Sequence, residues 1–185
     1  MSGFFWNIRG FNKQGKHGVV RDWINKGNYD FGCLIETKIK ESKAERIVNS
    51  VFHGWSFLSN YEEHRLGRLW LVWRSNVRVT PIYKTSQLIT CSIHIEGRPD
   101  EFFVTFIYAS NFVTDRKVLW SDITHHHKSP LFRDKAWLLC GDFNEILEGD
   151  DHSLHDSSPV SPVGMRDFQD VVRTCEFTDM SYQGQ

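Results

Sequence analysis

The sequence lacks the features that mark several classes of protein. No apolar run approaches the ~20 residues that a membrane-spanning helix needs, the apolar opening at 3–6 is too short for the core of a signal peptide, and no Asn-x-Ser/Thr glycosylation site occurs. Its four cysteines are far apart and form no C-x-x-C pair, so we expect buried, reduced thiols. These absences predict an intracellular protein that has no membrane partner.

Net charge is also nearly absent. The 185 residues contain 22 Lys+Arg and 23 Asp+Glu, which gives a formal net charge of −1. With 40% hydrophobic and 14% aromatic residues, the composition predicts one globular domain, 1–185, and excludes disorder, collagen and coiled coil. Basic residues are in excess over 1–92 and acidic residues over 93–185, which leaves open a basic face toward a polyanion.

Apolar runs of strand length alternate with helical patterns along the chain. Strands are predicted at 4–8, 31–35 and 136–140, and between 55 and 108 the polarity has the period of two that is typical of strands in packed sheets. This order of strands and helices favours an α/β (α+β) sandwich in which helices cover the sheets.

The helices are predicted from apolar residues that recur on one face. A Gly- and Lys-rich turn through Gly18 is expected before the first helix, and Thr114 is the expected N-cap of the third. Residues 148–162 are too polar for a core and are predicted to form a loop. The four predicted helices lie at 19–26, 44–52, around 118–123 and around 168–175.

Polar side chains follow four of the predicted strands. Ligands of α/β proteins bind outside the carboxyl ends of strands, and carboxylate and amide oxygens without clustered Cys or His suit a hard cation such as Mg²⁺. Each of these residues alone has an ordinary explanation as a turn or surface residue, but the set indicates phosphoryl transfer or phosphodiester hydrolysis. The residues are Asn7, Glu36, Tyr108, Asp142 and Asn144.

Basic residues lie in loops beside the first two of these strand ends, or ahead of the strand that begins at Leu69. They are available to contact DNA phosphates, although most surface charges are only solvated. The basic residues in these loops are Arg9, Lys13, Lys16, Lys38, Lys40, Arg65 and Arg68. Of these we predict Arg9, Lys13, Lys38, Arg65 and Arg68 as candidate nucleic-acid contacts.

Two further groups of ionisable residues are expected to have no role in chemistry. Asp150, Asp151 and His152 lie in the predicted polar loop, where solvated side chains are the ordinary outcome. The run 125–127 contains three adjacent histidines near the end of a predicted helix, where they point in different directions and complement the helix dipole.

The motifs at the strand ends resemble those of the endonuclease/exonuclease/phosphatase superfamily. More narrowly, the chain resembles the apurinic-type endonuclease domain of plant LINE-type (non-LTR) retrotransposons, in which segments like 164–168 and 178–180 also follow. The motifs that carry the resemblance are, in order, Trp6-Asn7-Ile8-Arg9-Gly10, Leu34-Ile35-Glu36-Thr37-Lys38, Phe106-Ile107-Tyr108-Ala109-Ser110 and Gly141-Asp142-Phe143-Asn144-Glu145-Ile146-Leu147.

The resemblance implies a four-layer αββα sandwich of the DNase I-like type and a role for each residue. Glu36 would be the principal ligand of Mg²⁺, or of Mn²⁺, and Asn7 would help to hold the metal and the phosphate. Tyr108 would hydrogen-bond the scissile phosphate, Asp142 would orient or deprotonate the attacking water, and Asn144 would bind the phosphate. DNA is then the expected partner, and the nucleus the expected location.

The family pattern extends beyond the last motif of this chain, through Phe-Thr-Trp, Leu-Asp-Arg and Ser-Asp-His segments. The resemblance therefore implies a C-terminally incomplete domain that lacks its last strands, has lost a downstream reverse transcriptase region, and has weak or no activity. Two other functions stay open. One is a non-catalytic module that binds nucleic acid or protein, and the other is a phosphatase that acts on a small molecule. No feature of the sequence indicates an oligomeric state.

Overall fold

A computed structural model describes residues 2–148 and 162–180 of the chain. Its contacts divide the chain into two compact units, of which the first comprises 1–108 and 134–142 and the second comprises 109–133 and 143–185. The elements are, in order, β1 (Gly3–Asn7), α1 (Gln14–Gly27), β2 (Phe31–Ile35), α2 (Glu41–Val51), β3 (Ser56–Ser59), β4 (Leu69–Trp73), β5 (Val77–Lys84), β6 (Leu88–Ile95), β7 (Glu101–Tyr108), α3 (Val113–Lys128), β8 (Trp137–Asp142) and α4 (Pro162–Thr174).

The first unit contains two four-stranded sheets and the helices α1 and α2. The first sheet has the order β1-β2-β4-β3 and the second the order β5-β6-β7-β8. Each sheet contains one parallel pair, β1 with β2 and β7 with β8, while the other neighbours are antiparallel. Two parallel pairs bring the carboxyl ends of four strands to ends of the sheets where loops begin.

Two apolar clusters stabilise this unit. In one, α1 and α2 pack on the first sheet through residues such as Ile24, Val48 and Trp70. In the other, the two sheets pack face to face through residues such as Ile35 and Ile89. The strand β2 is buried on both faces because it takes part in both clusters, which explains its continuous apolar run.

The second unit contains α3 and α4, which pack against each other. Three aromatic rings stack in it, with the Trp120 and Phe168 centroids 4.9 Å apart and the Phe143 and Phe168 centroids 5.0 Å apart. A buried ion pair joins Arg116 Nη2 to Glu145 Oε2 at 2.5 Å.

The predicted strands and helices are confirmed in kind, but α4 begins at Pro162, a residue of the predicted loop, and two further boundaries were wrong. Helix α1 begins at Gln14, so the residues up to Gly18 that predicted a turn are largely helical. Thr114 lies inside α3, whose N-cap is Phe112, and the Oγ of Ser110 accepts a hydrogen bond from the N–H of Phe112.

Other expectations are settled only in part. All four cysteines are free thiols, and Cys33, Cys91 and Cys175 are buried. No helix among the described residues is long and apolar enough to cross a membrane. Most of the predicted polar loop, 149–161, lies outside the described residues, and the extent of the domain, 1–185, stays a prediction.

Candidate active site

The carboxyl ends of β1 and β2 place Asn7 and Glu36 side by side. The two strands are parallel, with Asn7 opposite Ile35 in the register, so Glu36 follows directly on the neighbouring strand. The ladder continues beyond the strands, because the N–H of Gly10 donates to the carbonyl of Glu36 at 2.7 Å. The position of these two side chains therefore follows from the regular pairing of the strands.

The ends of β7 and β8 place Tyr108 and Asp142 in the same way. The two residues are opposite each other in the parallel register. The residue before Asp142 has to be glycine, because a Cβ at position 141 would lie 2.1 Å from the carbonyl oxygen of Ile107. Gly141 thus allows the close approach of the two strands on which the place of Asp142 depends.

One side chain joins the two strand pairs. The Nδ2 of Asn7 donates to Glu36 Oε1 at 3.2 Å and to Asp142 Oδ2 at 3.1 Å. The Oδ1 of Asn7 in turn accepts a hydrogen bond from the N–H of Arg9 at 3.2 Å. The amide of Asn7 therefore holds a carboxylate from each sheet at a fixed distance from itself.

The surroundings of Glu36 keep its carboxylate ionised. Burial raises the pKa of Glu36, but hydrogen bonds from Asn7, Tyr108 and Lys38, together with the charge of Lys38, outweigh it, so that the pKa lies below its ordinary value. The Nζ of Lys38 is 3.4 Å from Glu36 Oε2, and the lysine side chain is 59% exposed. The carboxylate is thus held mainly by neutral donors and by one exposed cation.

Tyr108 remains a hydrogen-bond donor over the whole physiological range. Burial raises the pKa of Tyr108 to about 12, helped by the charge of Glu36, by the hydrogen bond to it and by the charge of Asp142, while Arg68 acts in the opposite direction. The guanidinium carbon of Arg68 lies 5.0 Å from the centroid of the Tyr108 ring. The phenol is therefore neutral and its ring is held on one face by a cation.

Backbone strain collects in the same place. The φ angles of Arg9, Glu36 and Lys38 are 47°, 54° and 55°. They lie in the left-handed region, which residues other than Gly and Asn rarely adopt. Such strain persists where surrounding structure imposes it, and it clusters at functional sites.

Asn144, the fifth predicted residue, belongs to the second unit. Its Nδ2 donates to the carbonyl of Ala109 at 2.7 Å, and its φ of 47° is left-handed. Asn144 follows Asp142 by two residues, so the loop that begins at Phe143 determines its position. The first unit brings the other four predicted residues together.

The donor set of the first unit fits a small hard cation. Mg²⁺ takes one or two carboxylates and fills its other positions with water and substrate oxygens, and Glu36 and Asp142 supply two carboxylates bridged by one amide. No group of three or more His, Cys, Asp or Glu among the described residues could hold a metal. The fit to Mg²⁺ therefore rests on these two carboxylates alone, one from each sheet.

The predicted DNA contacts differ in their availability. Arg9, Lys13 and Arg65 are exposed, Lys38 is paired with Glu36, and Arg68 covers the ring of Tyr108. Contact of these five residues with nucleic acid stays a prediction.

Two residues with a role at the site were missed from the sequence. The Nζ of Lys16 donates to the carbonyls of Ile8 and Gly10 at 2.8 and 2.9 Å, so it stabilises the loop after Asn7. Thr37 is fully buried, and its Oγ1 donates to the carbonyl of Gly67 at 3.0 Å. Neither contact could be predicted from a local sequence pattern, because each joins a side chain to backbone carbonyls of a loop elsewhere in the chain.

Of the two groups that were expected to have no role in chemistry, only the three histidines lie in the part of the chain that the structure describes. The three histidines lie in the last turn of α3, where His126 is buried against Phe132 and its Nδ1 is 2.6 Å from the carbonyl of Asp122. Asp150, Asp151 and His152 lie outside the described residues.

Comparison with solved structures shows the fold. The chain is similar to the AP endonuclease LMAP of Leishmania major (TM-score 0.64, 13% identity, 94% of this chain and 66% of that one) and to the endonuclease domain of TRAS1, a telomere-specific non-LTR retrotransposon (0.66, 11%, 94% and 69%). It is also similar to the mannosyl-6-phosphatase Bt3783 of Bacteroides thetaiotaomicron (0.57, 12%, 83% and 68%). The predicted DNase I-like class is confirmed, as a mixed α/β fold whose described residues form two sheets and four helices.

The lengths and the sequences of these proteins limit the comparison. The chain spans about two thirds of the length of the solved structures that it matches. No curated protein matches it in sequence. Residues 4–183, however, match the endonuclease/exonuclease/phosphatase family over nearly the whole chain. The chain belongs to the endonuclease/exonuclease/phosphatase family.

Proposed function

We propose that the chain is a weakly active DNA endonuclease domain of retrotransposon origin, which hydrolyses phosphodiester bonds with Mg²⁺, or with Mn²⁺ in its place. The observation that carries the proposal is the amide of Asn7, which bridges Glu36 and Asp142 at 3.2 and 3.1 Å. Membership of the endonuclease/exonuclease/phosphatase family and the fold shared with the TRAS1 endonuclease domain support it. DNA is then the partner, and the nucleus the place of action.

The metal would be held by Glu36, with Asn7, whose amide hydrogen-bonds the Glu36 carboxylate, beside it. When bound, it would supply positive charge for the phosphate oxygens as negative charge develops on them. The lowered pKa of Glu36 keeps this ligand ionised at neutral pH without a strongly held cation of the protein.

The other side chains act on the water and the phosphate. Asp142 takes a proton from the attacking water, or orients it, from a place fixed by Asn7 and by the close approach of β7 and β8. Tyr108 is neutral and donates a hydrogen bond to a phosphate oxygen. Lys38 moves from Glu36 to the phosphate, because its exposed side chain forms only a weak ion pair.

The test is plasmid nicking under single-turnover conditions, with protein in excess over supercoiled DNA and with Mg²⁺ or EDTA. Glu36→Ala and Asp142→Asn are each expected to lower the rate at least about a hundredfold, because each removes a group that acts on the reacting atoms. The matched controls Glu96→Ala and Asp100→Asn remove exposed acidic groups of a turn and are expected to nick at the wild-type rate. Nicking that survives EDTA, or that is equal in the wild type and both site variants, contradicts the proposal.

A small-molecule phosphatase is the second candidate, and the similarity to the mannosyl-6-phosphatase favours it. The same four residues would act on a phosphomonoester, so hydrolysis of mannose 6-phosphate is the discriminating assay. Release of phosphate that depends on Glu36, without nicking of DNA, would show that the chain is a phosphatase rather than a nuclease. Salt-dependent DNA binding that survives Glu36→Ala, with no hydrolysis of either substrate, would instead indicate a non-catalytic binding module.

A further inference from the structure

Arg68 contacts two of the site residues at once, through different parts of the same residue. Its carbonyl oxygen accepts a hydrogen bond from the N–H of Glu36 at 3.0 Å. Its guanidinium carbon lies 5.0 Å from the centroid of the Tyr108 ring. Arg68 directly precedes β4, which pairs with β2 so that Leu69 is opposite Ile35. The regular ladder between these strands therefore fixes Arg68 beside Glu36.

The backbone contact of Arg68 belongs to a rigid turn. The preceding residue, Gly67, has a φ of 47°, and a Cβ there would lie 2.4 Å from the ring of Tyr61. The carbonyl of Gly67 accepts the hydroxyl of the buried Thr37 at 3.0 Å. These contacts hold the turn before β4 against the strained segment that begins at Glu36.

The side-chain contact acts on the orientation of the phenol. A guanidinium on one face of the ring is attracted by the negative charge of that face and restricts rotation of the side chain. The hydroxyl of Tyr108 is directed at Glu36, to which it donates a hydrogen bond. Arg68 thus links the metal-ligand side of the site with its phosphate side.

We propose that Arg68 is a positioning residue, which holds the Tyr108 ring where its hydroxyl reaches both Glu36 and the scissile phosphate. This role rests on the proposed function. It differs from a contact between Arg68 and the DNA backbone, which would contribute to affinity and to its salt dependence rather than to the rate.

The first test separates rate from affinity with Arg68→Met, which keeps the length of the side chain but removes the cation. The single-turnover rate is expected to fall about tenfold, while affinity for a DNA duplex, measured by fluorescence anisotropy with Ca²⁺, changes less than about twofold. Arg68→Lys keeps the charge and is expected to lose only about threefold. Arg98→Met changes an exposed arginine of the turn after β6 and serves as the control.

A double-mutant comparison shows whether Arg68 acts through Tyr108. In a Tyr108→Phe background, which lacks the hydroxyl to be oriented, Arg68→Met is expected to lower the rate less than about twofold further. Equal losses in the two backgrounds would overturn the proposal, because the effect of Arg68 would then be independent of Tyr108.

The second test needs no activity. With ¹³C-labelled tyrosine, the ring signal of Tyr108 is identified by its absence in Tyr108→Phe. It is expected to shift and broaden in Arg68→Met and to stay in place in Arg98→Met, with far-UV circular dichroism unchanged in both. An unchanged Tyr108 signal in a folded Arg68→Met overturns the proposal.

The outcomes for Arg68 and for the proposed function are distinguishable. If nicking does not depend on Glu36, the proposed function is wrong and the role of Arg68 falls with it. If nicking depends on Glu36 but Arg68→Met weakens DNA binding and leaves the rate at saturation unchanged, only the role of Arg68 is wrong.

Discussion

Two regions of the molecule hold acidic side chains away from bulk water, and they do so in opposite ways. In the second unit, Glu145 is 7% exposed and pairs with Arg116, itself 4% exposed, at 2.5 Å. In the first unit, Glu36 and Asp142 share the neutral amide of Asn7, and the cation of Lys38 at 3.4 Å from Glu36 is mostly exposed. The first arrangement binds a carboxylate permanently, whereas the second leaves negative charge for a ligand to neutralise.

We propose that this difference separates structural carboxylates from functional ones. A buried ion pair is costly to break, because the partner that remains is an uncompensated buried charge. The carboxylates of Glu36 and Asp142 share one neutral donor, so their negative charge stays available for a bound cation to neutralise. Each prediction below changes one side of this contrast.

The largest effect on stability is expected at the ion pair of the second unit. Arg116→Met is expected to lower the free energy of unfolding by about 3–5 kcal/mol, because Glu145 then stays buried without its partner. Urea denaturation followed by circular dichroism measures it. The double variant Arg116→Met/Glu145→Met is expected to recover much of the loss. A loss below about 1 kcal/mol for the single variant would show that the pair behaves like a surface pair.

The next effect is expected at Gly141, where the site depends on backbone packing. Gly141→Ala places a Cβ 2.1 Å from the carbonyl of Ile107 and is expected to cost about 1–3 kcal/mol through overpacking. Asp142 moves with its strand, so nicking is expected to fall as well. Gly54→Ala, at a turn glycine with open space around it but a φ of 78°, is the comparison for backbone strain alone. Wild-type nicking in Gly141→Ala would show that the close strand approach does not set the position of Asp142.

The carboxylates of the candidate active site could be predicted from the sequence, whereas the buried ion pair could not. Asn7, Glu36, Tyr108 and Asp142 were predicted as a set because strand ends are visible as polar residues after apolar runs, and parallel strands bring such ends together. The ion pair between Arg116 and Glu145 was not predicted, since 29 residues separate the two and no periodic pattern links them.

The elements that were wrong show the same limit. Gly15 and Gly18 indicated a turn by their low helix propensity, yet α1 begins at Gln14, so tertiary packing overrides propensity there. Lys16, on the added turn of helix, reaches back to the carbonyls of the loop after β1. Thr114 is of a residue type that is common at N-caps, but the N-cap of α3 is Phe112. The Oγ of Ser110, rather than a side chain at the N-cap, accepts a hydrogen bond from the N–H of Phe112.

A smaller effect on stability is expected at the site itself. Glu36→Gln and Asp142→Asn are each expected to change the free energy of unfolding by less than about 1 kcal/mol, because each removes one of two neighbouring like charges. The same denaturation experiment measures this and gives the contrast with Arg116→Met directly. Destabilisation by more than about 3 kcal/mol would make these carboxylates structural, like Glu145.

The smallest effect is expected in the pH dependence of stability. The native pKa of Glu36 lies below its unfolded value, so its contribution is complete above the ordinary pKa of 4.5 and is lost as the pH falls through the lower native pKa. Between about pH 5 and pH 3, Glu36→Gln is therefore expected to lose less stability than the wild type. Parallel curves for the two proteins would show that the hydrogen bonds from Asn7 and Tyr108 do not favour the ionised form.

Calorimetric titration of Mn²⁺ into the metal-free protein tests the central claim most directly, because it measures whether the site attracts a cation without requiring turnover. We predict a divalent cation site in the wild type and in Glu96→Ala, with the affinity reduced at least about tenfold in Glu36→Gln and in Asp142→Asn. Equal affinity in the wild type and in both site variants would contradict the claim that these two carboxylates form a metal-dependent active site.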